Sequence, residues 1–449
     1  MNSEQNKKTK FLGETKISKL IMTQSIPAIL GMSIMSLYMI IDSIFIGQIV
    51  GPLGIAALAI TMPIMVFIMA IAQMIGNGFS TLISKSLGEN NKDKSEKLFS
   101  GYFFIIILIS LFFSILGLIF TEQLFKLFGS NKIIMPYALE YGKIMFYGLF
   151  FFMFVSSSNN ILRSQGQAKM AMFSMMIGAI LNIILDYILI YLFKYGMFGA
   201  SLATAISQFF STIIILYYFN SNRNPINFNI KYLIPSFKLF KQILALGSPS
   251  FIRQSGSSII SLIVNNLLII YSGPMGLAAF SIINRLKMFL VMPIFGLVQG
   301  IQPIIGYNYG AKKYIRVKQT LKKAILYIII GILIPYLIIM LFPGLFIKLF
   351  TSDQNLINLA IPYLRIIFLL LPLSGVYMII GGFFQSLGKA KISLYISLIR
   401  QVLILIPLIY IMSYFFELKG LLISFPISEF LTFVSVYLIY KINITSIYK

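Results

Sequence analysis

The sequence contains no cysteine, no histidine and no tryptophan in its 449 residues. Without cysteine there is no disulfide, no thiolate metal site and no cysteine nucleophile. Without histidine there is neither an imidazole metal ligand nor a histidine general base. Most chemistry available to an intramembrane enzyme is therefore absent. We expect a protein that is not an enzyme and that needs no organic or metal cofactor.

Charged residues are also scarce, at 11% of the chain, whereas hydrophobic residues make up 58% and the mean hydropathy is +0.91. Apolar runs of about 20 residues, the length of a helix that crosses the hydrocarbon core, recur along nearly the whole chain. They do not alternate as the strands of a membrane barrel do. We predict an all-α membrane protein with twelve transmembrane helices, centred near residues 31, 69, 108, 150, 180, 208, 257, 293, 331, 371, 400 and 430.

The few charges are unevenly distributed, with a formal net charge of +24. In a twelve-helix arrangement the Lys-rich and Arg-rich segments all fall on one side, which predicts a cytoplasmic face rather than a nucleic-acid partner. The basic segments are 7–19, 85–97, 163–169, 223–241, 312–323, Lys389 with Lys391, and the C-terminal tail. We expect a multi-pass protein of the cell membrane with both termini in the cytoplasm.

An internal duplication becomes visible when the chain is compared with itself at an offset of 222 residues. "GPLGIAA" at 51–57 then coincides with "GPMGLAA" at 273–279. Further matches at this offset are Pro27 with Pro249, Gly78 with Gly300, Gly88 with Gly310, and "SQGQAK" at 164–169 with "SLGKAK" at 386–391. Because each half carries six spans, an even number, the halves are parallel repeats. We predict two six-helix lobes related by a pseudo-twofold axis along the membrane normal.

The domain division follows from this repeat. We predict an N-terminal lobe at residues 1–220, a basic cytoplasmic linker at 221–238 that contains two prolines, and a C-terminal lobe at 239–449. The first lobe then holds helices one to six and the second holds helices seven to twelve.

The two halves differ at three polar positions, where the second half carries only apolar residues. The pairs are Asp42 with Val264, Asn182 with Ile404, and Asp186 with Leu408. Duplicated helices share packing requirements, so a polar residue present in one copy alone is less easily explained by the fold. An unpaired charge at mid-bilayer costs at least about 2.5 to 3.5 kcal/mol, so we expect these aspartates to face protein or water and to have partners.

These residues predict a cation site of hard oxygen ligands. Asn182 and Asp186 are four residues apart, which puts both side chains on one face of a helix. The short turn at "KYGMFG" makes helices five and six neighbours, so Thr204 can add a hydroxyl oxygen. The site suits Na⁺, and a carboxyl group desolvated among apolar side chains can also carry a proton near neutral pH. A polar cluster that only locks helices together is the alternative.

On these residues the chain resembles the multidrug and toxic compound extrusion (MATE) transporters over essentially all twelve predicted helices. The resemblance rests on "DSIFIGQIVGPLGIAALA", on "RSQGQAK" with "NIILD" after it, and on "GASLATAIS". The position of the acids is similar to the branch often called DinF-like. That resemblance implies that Asp42, Asn182, Asp186 and Thr204 form the cation site. It also implies that Na⁺ or H⁺ flows inward while lipophilic organic cations leave.

A further acid, Glu429 in "FPISEFLTF", lies deep in the second half. Another branch of the family places essential acids in the C-terminal lobe, including one in the seventh helix, where this sequence has none. Glu429 aligns with Gln208 once a one-residue shift is allowed. Three roles stay open: a second protonation site, a counter-charge for substrate, or an acid paired with Arg400 or a backbone group.

Two prolines are candidate hinges. Pro27 and Pro249 are predicted to interrupt the first and seventh helices, because proline frees a backbone carbonyl. Asp42 lies about four turns beyond Pro27 on the same helix, so a change of its charge is predicted to bias the bend of that helix. A static kink fixed by packing is the alternative.

Three functions are compatible with the sequence: an ion-coupled drug exporter, a flippase for a lipid-linked or phospholipid substrate, and an intramembrane enzyme. We favour the exporter, with small organic molecules as substrates, membrane lipid as surroundings, and a monomeric state. Cations deep within the predicted helices keep the flippase hypothesis possible, because a flippase needs positive groups to bind phosphate head groups. They are Arg253, Arg285, Lys287, Arg365 and Arg400. The enzyme lacks a nucleophile with a base beside it.

Overall fold

A computed structural model describes the backbone of residues 11–448 and the side chains of residues 11–444. Within the described backbone the regular elements are helices, and no strand is found. This is the arrangement that a chain of apolar runs requires, because a helix satisfies its own backbone polar groups inside lipid.

After a short helical segment at residues 11–14, the first half contains eight α-helices among the described residues. They are α1 Ile17–Phe45, α2 Pro52–Gly88, α3 Lys92–Ile119, α4 Thr121–Leu127, α5 Met135–Tyr147, α6 Leu149–Ser164, α7 Ala168–Asp186 and α8 Gly196–Asn220. Short π-helical turns extend α1 over Ile46–Val50 and α7 over Tyr187–Leu192.

The second half begins after a 3₁₀ turn at Ile230–Tyr232. Its helices are α9 Phe237–Gly310, α10 Tyr314–Leu341, α11 Pro343–Lys348, α12 Gln354–Phe368, α13 Pro372–Ser386, α14 Ala390–Leu398 and α15 Ile406–Tyr448. A π-helical turn at Ile399–Leu405 joins α14 to α15.

The helices of the described residues account for twelve membrane crossings. Eight helical stretches are long and apolar enough to span a membrane, and two bent pairs, α5 with α6 at 58° and α12 with α13 at 44°, add two more. Two of the eight stretches are double. The 74-residue α9 breaks at Gly273, and the 55-residue stretch Ala390–Ile444 breaks at Glu417. The predicted fold class, an all-α membrane protein of twelve helices in two six-helix lobes, is confirmed.

The duplication is visible in the backbone as well as in the sequence. Gly51 and Gly273, which are 222 residues apart, both have positive φ and a ψ of −164°. Each precedes a proline, and each ends one crossing before the next begins. Glycine alone adopts this backbone cheaply, and proline fits the first turn of the helix that follows. The "GP" pairs found in the sequence are therefore the corners of two equivalent hairpins.

A second symmetric pair of glycines brings the two lobes into contact. A Cβ on Gly88 would overlap the carbonyl oxygen of Tyr307, and a Cβ on Gly310 would overlap the carbonyl oxygen of Lys85. Since 88 and 310, and likewise 85 and 307, differ by 222, the two contacts are equivalent across the pseudo-twofold axis. Only glycine permits so close an approach of two helical backbones at this end of the bundle.

The apolar core shows which end of the bundle is closed. One core cluster joins the first lobe to the part of the second lobe nearest the basic segments, and it includes Phe79, Ile243, Ile301 and Phe383. A separate cluster, which includes Val264, is confined to the remainder of the second lobe. Among the described residues, the apolar core that the two lobes share therefore lies at the basic end, and the second lobe has a core of its own at the opposite end.

Crossed connections strengthen the basic end. The carbonyl oxygens of Leu12 and Thr15 accept hydrogen bonds from Asn308 and Arg316 of the second half, at 2.9 and 2.6 Å. The segment between the halves is connected back to the first half, because the backbone N–H of Asn229 donates a hydrogen bond to the hydroxyl oxygen of Ser100. The division at 1–220, 221–238 and 239–449 stays a prediction.

Candidate functional site

The structure brings together the four residues of the predicted cation site. Asp42 lies near the end of α1, Asn182 and Asp186 on the last turns of α7, and Thr204 on α8. All four side chains are buried, with exposed fractions between 0 and 8%. The carboxyl groups of Asp42 and Asp186 are neighbours and interact electrostatically.

The site is rich in oxygen atoms that lack a donor. Asp42 Oδ1, Asn182 Oδ1 and both carboxylate oxygens of Asp186 are buried without a hydrogen-bond partner among the described residues. A buried acceptor without a donor costs about 1 to 3 kcal/mol, and more when it is charged. Two adjacent carboxylates also repel each other. A proton or a cation between these oxygens would remove both costs.

Thr204 holds Asn182 in position. Its hydroxyl oxygen accepts a hydrogen bond from Asn182 Nδ2 at 3.3 Å and donates to the carbonyl oxygen of Ala200 at 3.2 Å. This contact fixes the side-chain amide, because Nδ2 is engaged while Oδ1 stays free beside the acids. In this geometry the Thr204 hydroxyl positions the side-chain amide of Asn182, whereas the sequence predicted that the hydroxyl oxygen itself contacts the ion.

Both acids stand next to irregular helix. The π-helical turn Tyr187–Leu192 begins directly after Asp186, and Ile46–Val50 begins one turn after Asp42. A π turn shifts the helical register, and such turns are concentrated at functional sites. These two turns pack against each other. The backbone around both acids is therefore less regular than that of a static helix pair.

A cavity of about 70 Å³ opens one helical turn from the site. Tyr38, one turn before Asp42, and Gly178 with Ala179, one turn before Asn182, form the wall on the side of the acids. Most of the wall comes from helices of the first lobe, with Gln299 from the second. The cavity lies beside the acids inside the N-terminal lobe, and the acids themselves are not part of its wall.

Arg163 at the far wall of this cavity was missed by sequence reasoning. The sequence places it in a basic segment at the predicted cytoplasmic face, whereas the structure buries it to 4% exposure on α6. Among the side chains that the structure describes, the buried charged ones are Asp42, Arg163, Asp186 and Glu429. The sequence did contain an indication that Arg163 differs from a simple surface charge. The equivalent position of the second repeat, 385, carries Gln, so the arginine is present in one half only.

Glu429 lies in the other lobe, within a cluster of its own. Tyr377 donates a hydrogen bond to Glu429 Oε2 at 2.5 Å, and Arg400 Nη2 lies 3.7 Å from Oε1. The Arg400 guanidinium also lies over the Tyr377 ring, 5.2 Å from its centroid. Pairing with Arg400 was one of three possibilities from the sequence and is present in the structure. The roles of Glu429 in protonation or substrate binding stay predictions.

The other deep cations are less buried than the sequence suggested. Arg253, Lys287 and Arg400 are half-buried, whereas Arg285 and Arg365 are exposed. Lys287 lies over the Phe425 ring, 5.3 Å from its centroid. Of these five cations, only three therefore lie in the partly buried interior of the second lobe.

The two candidate hinges lie in helices without a break. Helix α1 runs through Pro27, and α9 runs through Pro249. The helical backbone is kept on both sides of each ring, so neither proline ends its helix in this conformation. A proline still leaves one backbone carbonyl without its helical donor. The role of Pro27 and Pro249 as hinges stays a prediction.

A polar network reaches the lobe interface from both sides, and one of its hydrogen bonds, from Asn77 to Ser250, crosses it. Gln73 accepts a hydrogen bond from Asn160 at 2.9 Å, and Asn77 donates to Ser250 of the second lobe at 3.1 Å. Arg253 also donates to Ser250, at 2.7 Å. Buried networks of this kind hold one arrangement of helices, because each member needs its partner.

Together these features define a membrane transporter built of two parallel six-helix lobes, with a buried acid pair in one lobe. The sequence profile of the MatE family matches the chain twice, over residues 27–188 and 249–411. The chain belongs to this family, the MATE transporters. The two matches begin 222 residues apart, which is the offset of the internal duplication.

Known members of the family are similar along their whole length. The multidrug export protein MepA of Staphylococcus haemolyticus is 28% identical over 434 residues, covering 96% of this chain and 95% of MepA. A MATE transporter solved in its outward-facing conformation superposes with a TM-score of 0.91 at 27% identity, covering 97% and 98% of the two chains. A MATE protein in a bent conformation gives 0.92 at 27% identity, covering 98% of each.

Proposed function

We propose that the chain is a secondary active efflux antiporter. It exports lipophilic, often cationic, organic compounds in exchange for Na⁺ or H⁺ by alternating access. The similarity to the multidrug export protein MepA supports export of several compounds. The apolar and methionine-lined cavity in the first lobe is consistent with varied ligands, because methionine adapts to different shapes.

The observation that carries this proposal is the set of buried oxygens without donors at Asp42, Asn182 and Asp186. A structural cluster would pair these oxygens with donors, whereas an ion site leaves them available. Either Na⁺ accepts electron pairs from carboxylate and amide oxygens, or a proton bridges the two carboxyl groups. Both states remove the repulsion between the acids, so release of the ion favours a different helix arrangement.

Helix α1 is the element best suited to transmit this change. It carries Asp42 in the site and Pro27 closer to the basic end, where a hydrogen bond is missing from the helix. A related MATE protein is known in a bent conformation. Bending of α1 at Pro27 alters the wall of the adjacent cavity, and Pro249 allows the corresponding movement in α9.

The basic end of the bundle is assigned to the cytoplasm, and the protein to the cell membrane with both termini inside. The distribution of Lys and Arg supports this orientation. Among the described residues, the apolar core that the lobes share lies at that end, and the second lobe has a core of its own at the other. In this orientation the present conformation is open to the outside, and the protein acts as a monomer surrounded by lipid.

The first test replaces each acid by its amide. We expect Asp42→Asn and Asp186→Asn each to abolish efflux of a fluorescent dye from cells, because neither amide can carry the charge that binds the ion. Glu122→Gln is the matched control, since Glu122 pairs with Lys126 on the surface. Expression of all variants is compared on membranes. Efflux retained by both aspartate variants would contradict the coupling site.

A second measurement separates the two ions. Transport by purified protein in liposomes is followed with Na⁺ replaced by K⁺ at constant pH, and then over a range of pH without Na⁺. Loss of transport in K⁺ identifies Na⁺, whereas transport that follows the pH gradient without Na⁺ identifies H⁺. Transport that ignores both gradients excludes antiport with either ion.

A flippase remains the second candidate, because Arg253, Lys287 and Arg400 give the second lobe a positive character that suits phosphate groups. The same liposomes distinguish the two functions. Translocation of a short-chain fluorescent phospholipid with no export of dye favours the flippase, and the reverse favours the exporter.

A further inference from the structure

The turn between α9 and α10, with the start of α10, is strongly positive in a way that its counterpart in the first repeat is not. Residues 308–323 contain no acid and six cations, which are Lys312, Lys313, Arg316, Lys318, Lys322 and Lys323. The equivalent residues 86–101 contain three lysines and three acids, and these form three ion pairs. The preference for basic residues on the cytoplasmic side applies to both repeats alike, so it does not explain the difference.

Three of the six cations are held in place by neutral groups. Lys313, Arg316 and Lys323 donate hydrogen bonds to carbonyl and hydroxyl oxygens of residues 13–18, at 3.1, 2.6 and 2.6 Å. The charge of Glu14 acts on Arg316, but the five ion pairs of the described residues do not include these two. These contacts fix the segment without cancelling its positive charge.

The other three cations, Lys312, Lys318 and Lys322, are exposed. None of them takes part in an ion pair among the residues that the structure describes. Lys318 and Lys322 are four residues apart, so their side chains lie on one face of α10. We call these three residues the lysine surface.

The lysine surface continues into the lipid-facing side of α10. On the same face, Leu326, Ile329 and Leu333 are exposed apolar residues. Lys322 and Lys318 precede Leu326 by one and two turns, about 6 and 12 Å along the helix. The polar head groups form a layer roughly 5 to 8 Å thick on each side of the hydrocarbon core. Long lysine side chains at this place on the helix reach that layer.

The first repeat covers the equivalent surface with its own chain. Tyr232 of the linker donates to Asp93 Oδ1 at 2.6 Å, and the backbone N–H of Asn229 donates to Ser100 at 2.9 Å. Position 100 corresponds to Lys322, which stays exposed in the second repeat. Residues 1–10 carry three lysines and one glutamate, so that segment has the wrong net charge to neutralise the lysine surface. The counter-charge must therefore come from another molecule.

The backbone at Lys312 gives a second reason to look for a function. Lys312 has a φ of 57°, and its equivalent in the first repeat, Asn90, has a φ of 55°. Asparagine adopts this left-handed conformation more readily than lysine does. The second repeat thus keeps a cation where the first repeat has a residue better suited to the turn. Strain that is kept at one position is a mark of functional sites.

We propose that Lys312, Lys318 and Lys322 form a docking surface for the phosphate group of an anionic phospholipid in the membrane leaflet at the basic end. Clustered lysines at the depth of the head groups attract anionic lipids, and each ammonium group binds phosphate as a compact point charge. The lipid contacts the second repeat alone. This partner goes beyond the proposed export function and does not depend on it.

The test compares two lipids with the same acyl chains, dioleoyl phosphatidylglycerol and dioleoyl phosphatidylcholine. Binding of single lipid molecules to the purified full-length protein in detergent is measured by native mass spectrometry. The wild type is expected to bind phosphatidylglycerol more tightly. The triple variant Lys312→Asn, Lys318→Gln, Lys322→Ser should raise the Kd for phosphatidylglycerol by at least about tenfold. Its Kd for phosphatidylcholine should change by less than about twofold, because that head group has no net charge.

The chain offers a matched control at the same end of the bundle. Lys231, Lys238 and Lys241 are exposed as well, and changing all three to Gln removes the same charge. This control variant should keep its affinity for phosphatidylglycerol within about twofold. Equal loss in both triple variants would mean that diffuse positive charge attracts the lipid, and would overturn the docking surface.

Folding is checked separately from binding. Asn and Ser occur at the equivalent positions 90 and 100 of the first repeat, so two of the three changes introduce residues that this fold already uses. Lys312→Asn alone should keep or raise the thermal unfolding temperature, because the left-handed backbone suits asparagine. If the triple variant is not monodisperse, Lys318→Gln alone decides, with an expected loss of about fivefold in affinity for phosphatidylglycerol.

Three further results contradict the proposal. The first is equal binding of the two lipids by the wild type, and the second is unchanged binding of phosphatidylglycerol by the triple variant. The third is displacement of phosphatidylglycerol by an equal concentration of glycerol 3-phosphate, which would assign the lysine surface to a soluble phosphate compound. Since no transport is measured, the result stands whether or not the chain exports drugs.

Discussion

At the scale of single residues, the N-lobe site depends on side chains that hold one another in orientation. Asp42 and Asp186 provide charge, and Asn182 provides a neutral oxygen that its contact with Thr204 keeps free. Two ionised carboxylates carry a charge of −2, and one bound proton or one Na⁺ would reduce it to −1. Removal of a positioning residue should therefore weaken the site without abolishing it.

Thr204→Val tests this role. Valine keeps the shape of threonine but cannot accept the hydrogen bond from Asn182. The amide therefore loses a hydrogen bond that orients it and that contributes about 1 kcal/mol. We expect the concentration of coupling ion at half-maximal transport to rise roughly fivefold, with the maximal rate largely kept. The measurement is ion-dependent transport in liposomes.

The control is Thr212→Val on the same helix, where the hydroxyl bonds only to the carbonyl oxygen of Gln208 in its own helix. An equal effect of both variants would mean that Thr204 acts through helix stability and not through Asn182.

At the scale of helices, glycine determines where elements turn and how closely they cross. Gly51 and Gly273 allow the corner between two crossings, and Gly88 and Gly310 allow two helices to touch at the basic end. These positions are conformational or steric requirements, so a single methyl group is enough to disturb them. The same substitution in an open part of a helix should have the opposite effect, because alanine favours the helix.

Gly88→Ala and Gly310→Ala are expected to destabilise the protein by about 1 to 3 kcal/mol each, since the added methyl group overlaps a backbone oxygen. The thermal unfolding temperature in detergent should fall for both. Gly331→Ala on α10 is the matched control, because no atom lies within 4 Å of its added Cβ. It should be neutral or slightly stabilising. A fall of similar size for Gly331→Ala would show that the close approach at Gly88 and Gly310 is not the cause.

At the scale of the whole molecule, the described parts of the two lobes share an apolar core at the basic end. The contacts run from the crossed connections at the basic end through the Asn77–Ser250 hydrogen bond to the ring contact of Phe67 with Phe251. Alternating access requires this interface to part when the opposite end closes. A covalent bond across it should hold the transporter in one state.

The absence of native cysteine makes this experiment direct. In the double variant Asn77→Cys with Ser250→Cys, oxidation or a short bifunctional thiol reagent is expected to stop dye efflux, and a reductant to restore it. Each single variant under the same oxidant serves as the control. Full activity of the cross-linked protein would mean that the lobes do not part at this crossing.

The sequence predicted much of the fold and part of the site. Twelve crossings, the parallel repeat and the list Asp42, Asn182, Asp186 and Thr204 followed from apolar runs, the 222-residue offset and the asymmetry between halves. The burial of Arg163 was not predicted, because a cation at the end of an apolar run is normally a surface residue and only the packing around it shows otherwise. The continuity of α1 through Pro27 was also unpredictable, since neighbouring helices decide whether a proline bends its helix.

The sequence by itself determined the membrane location, the helical class and the twofold plan. Hydropathy and internal repetition are properties of the linear chain, so they can be recognised without knowing which residues are in contact. Only the tertiary structure decided which charges are paired and which are left without partners. Glu429 is compensated by Tyr377 and Arg400, whereas both carboxylate oxygens of Asp186 and the Nε and Nη1 atoms of Arg163 have no hydrogen-bond partner among the described side chains. Pairing depends on distances between helices far apart in sequence, and those distances arise only when the helices of each lobe pack.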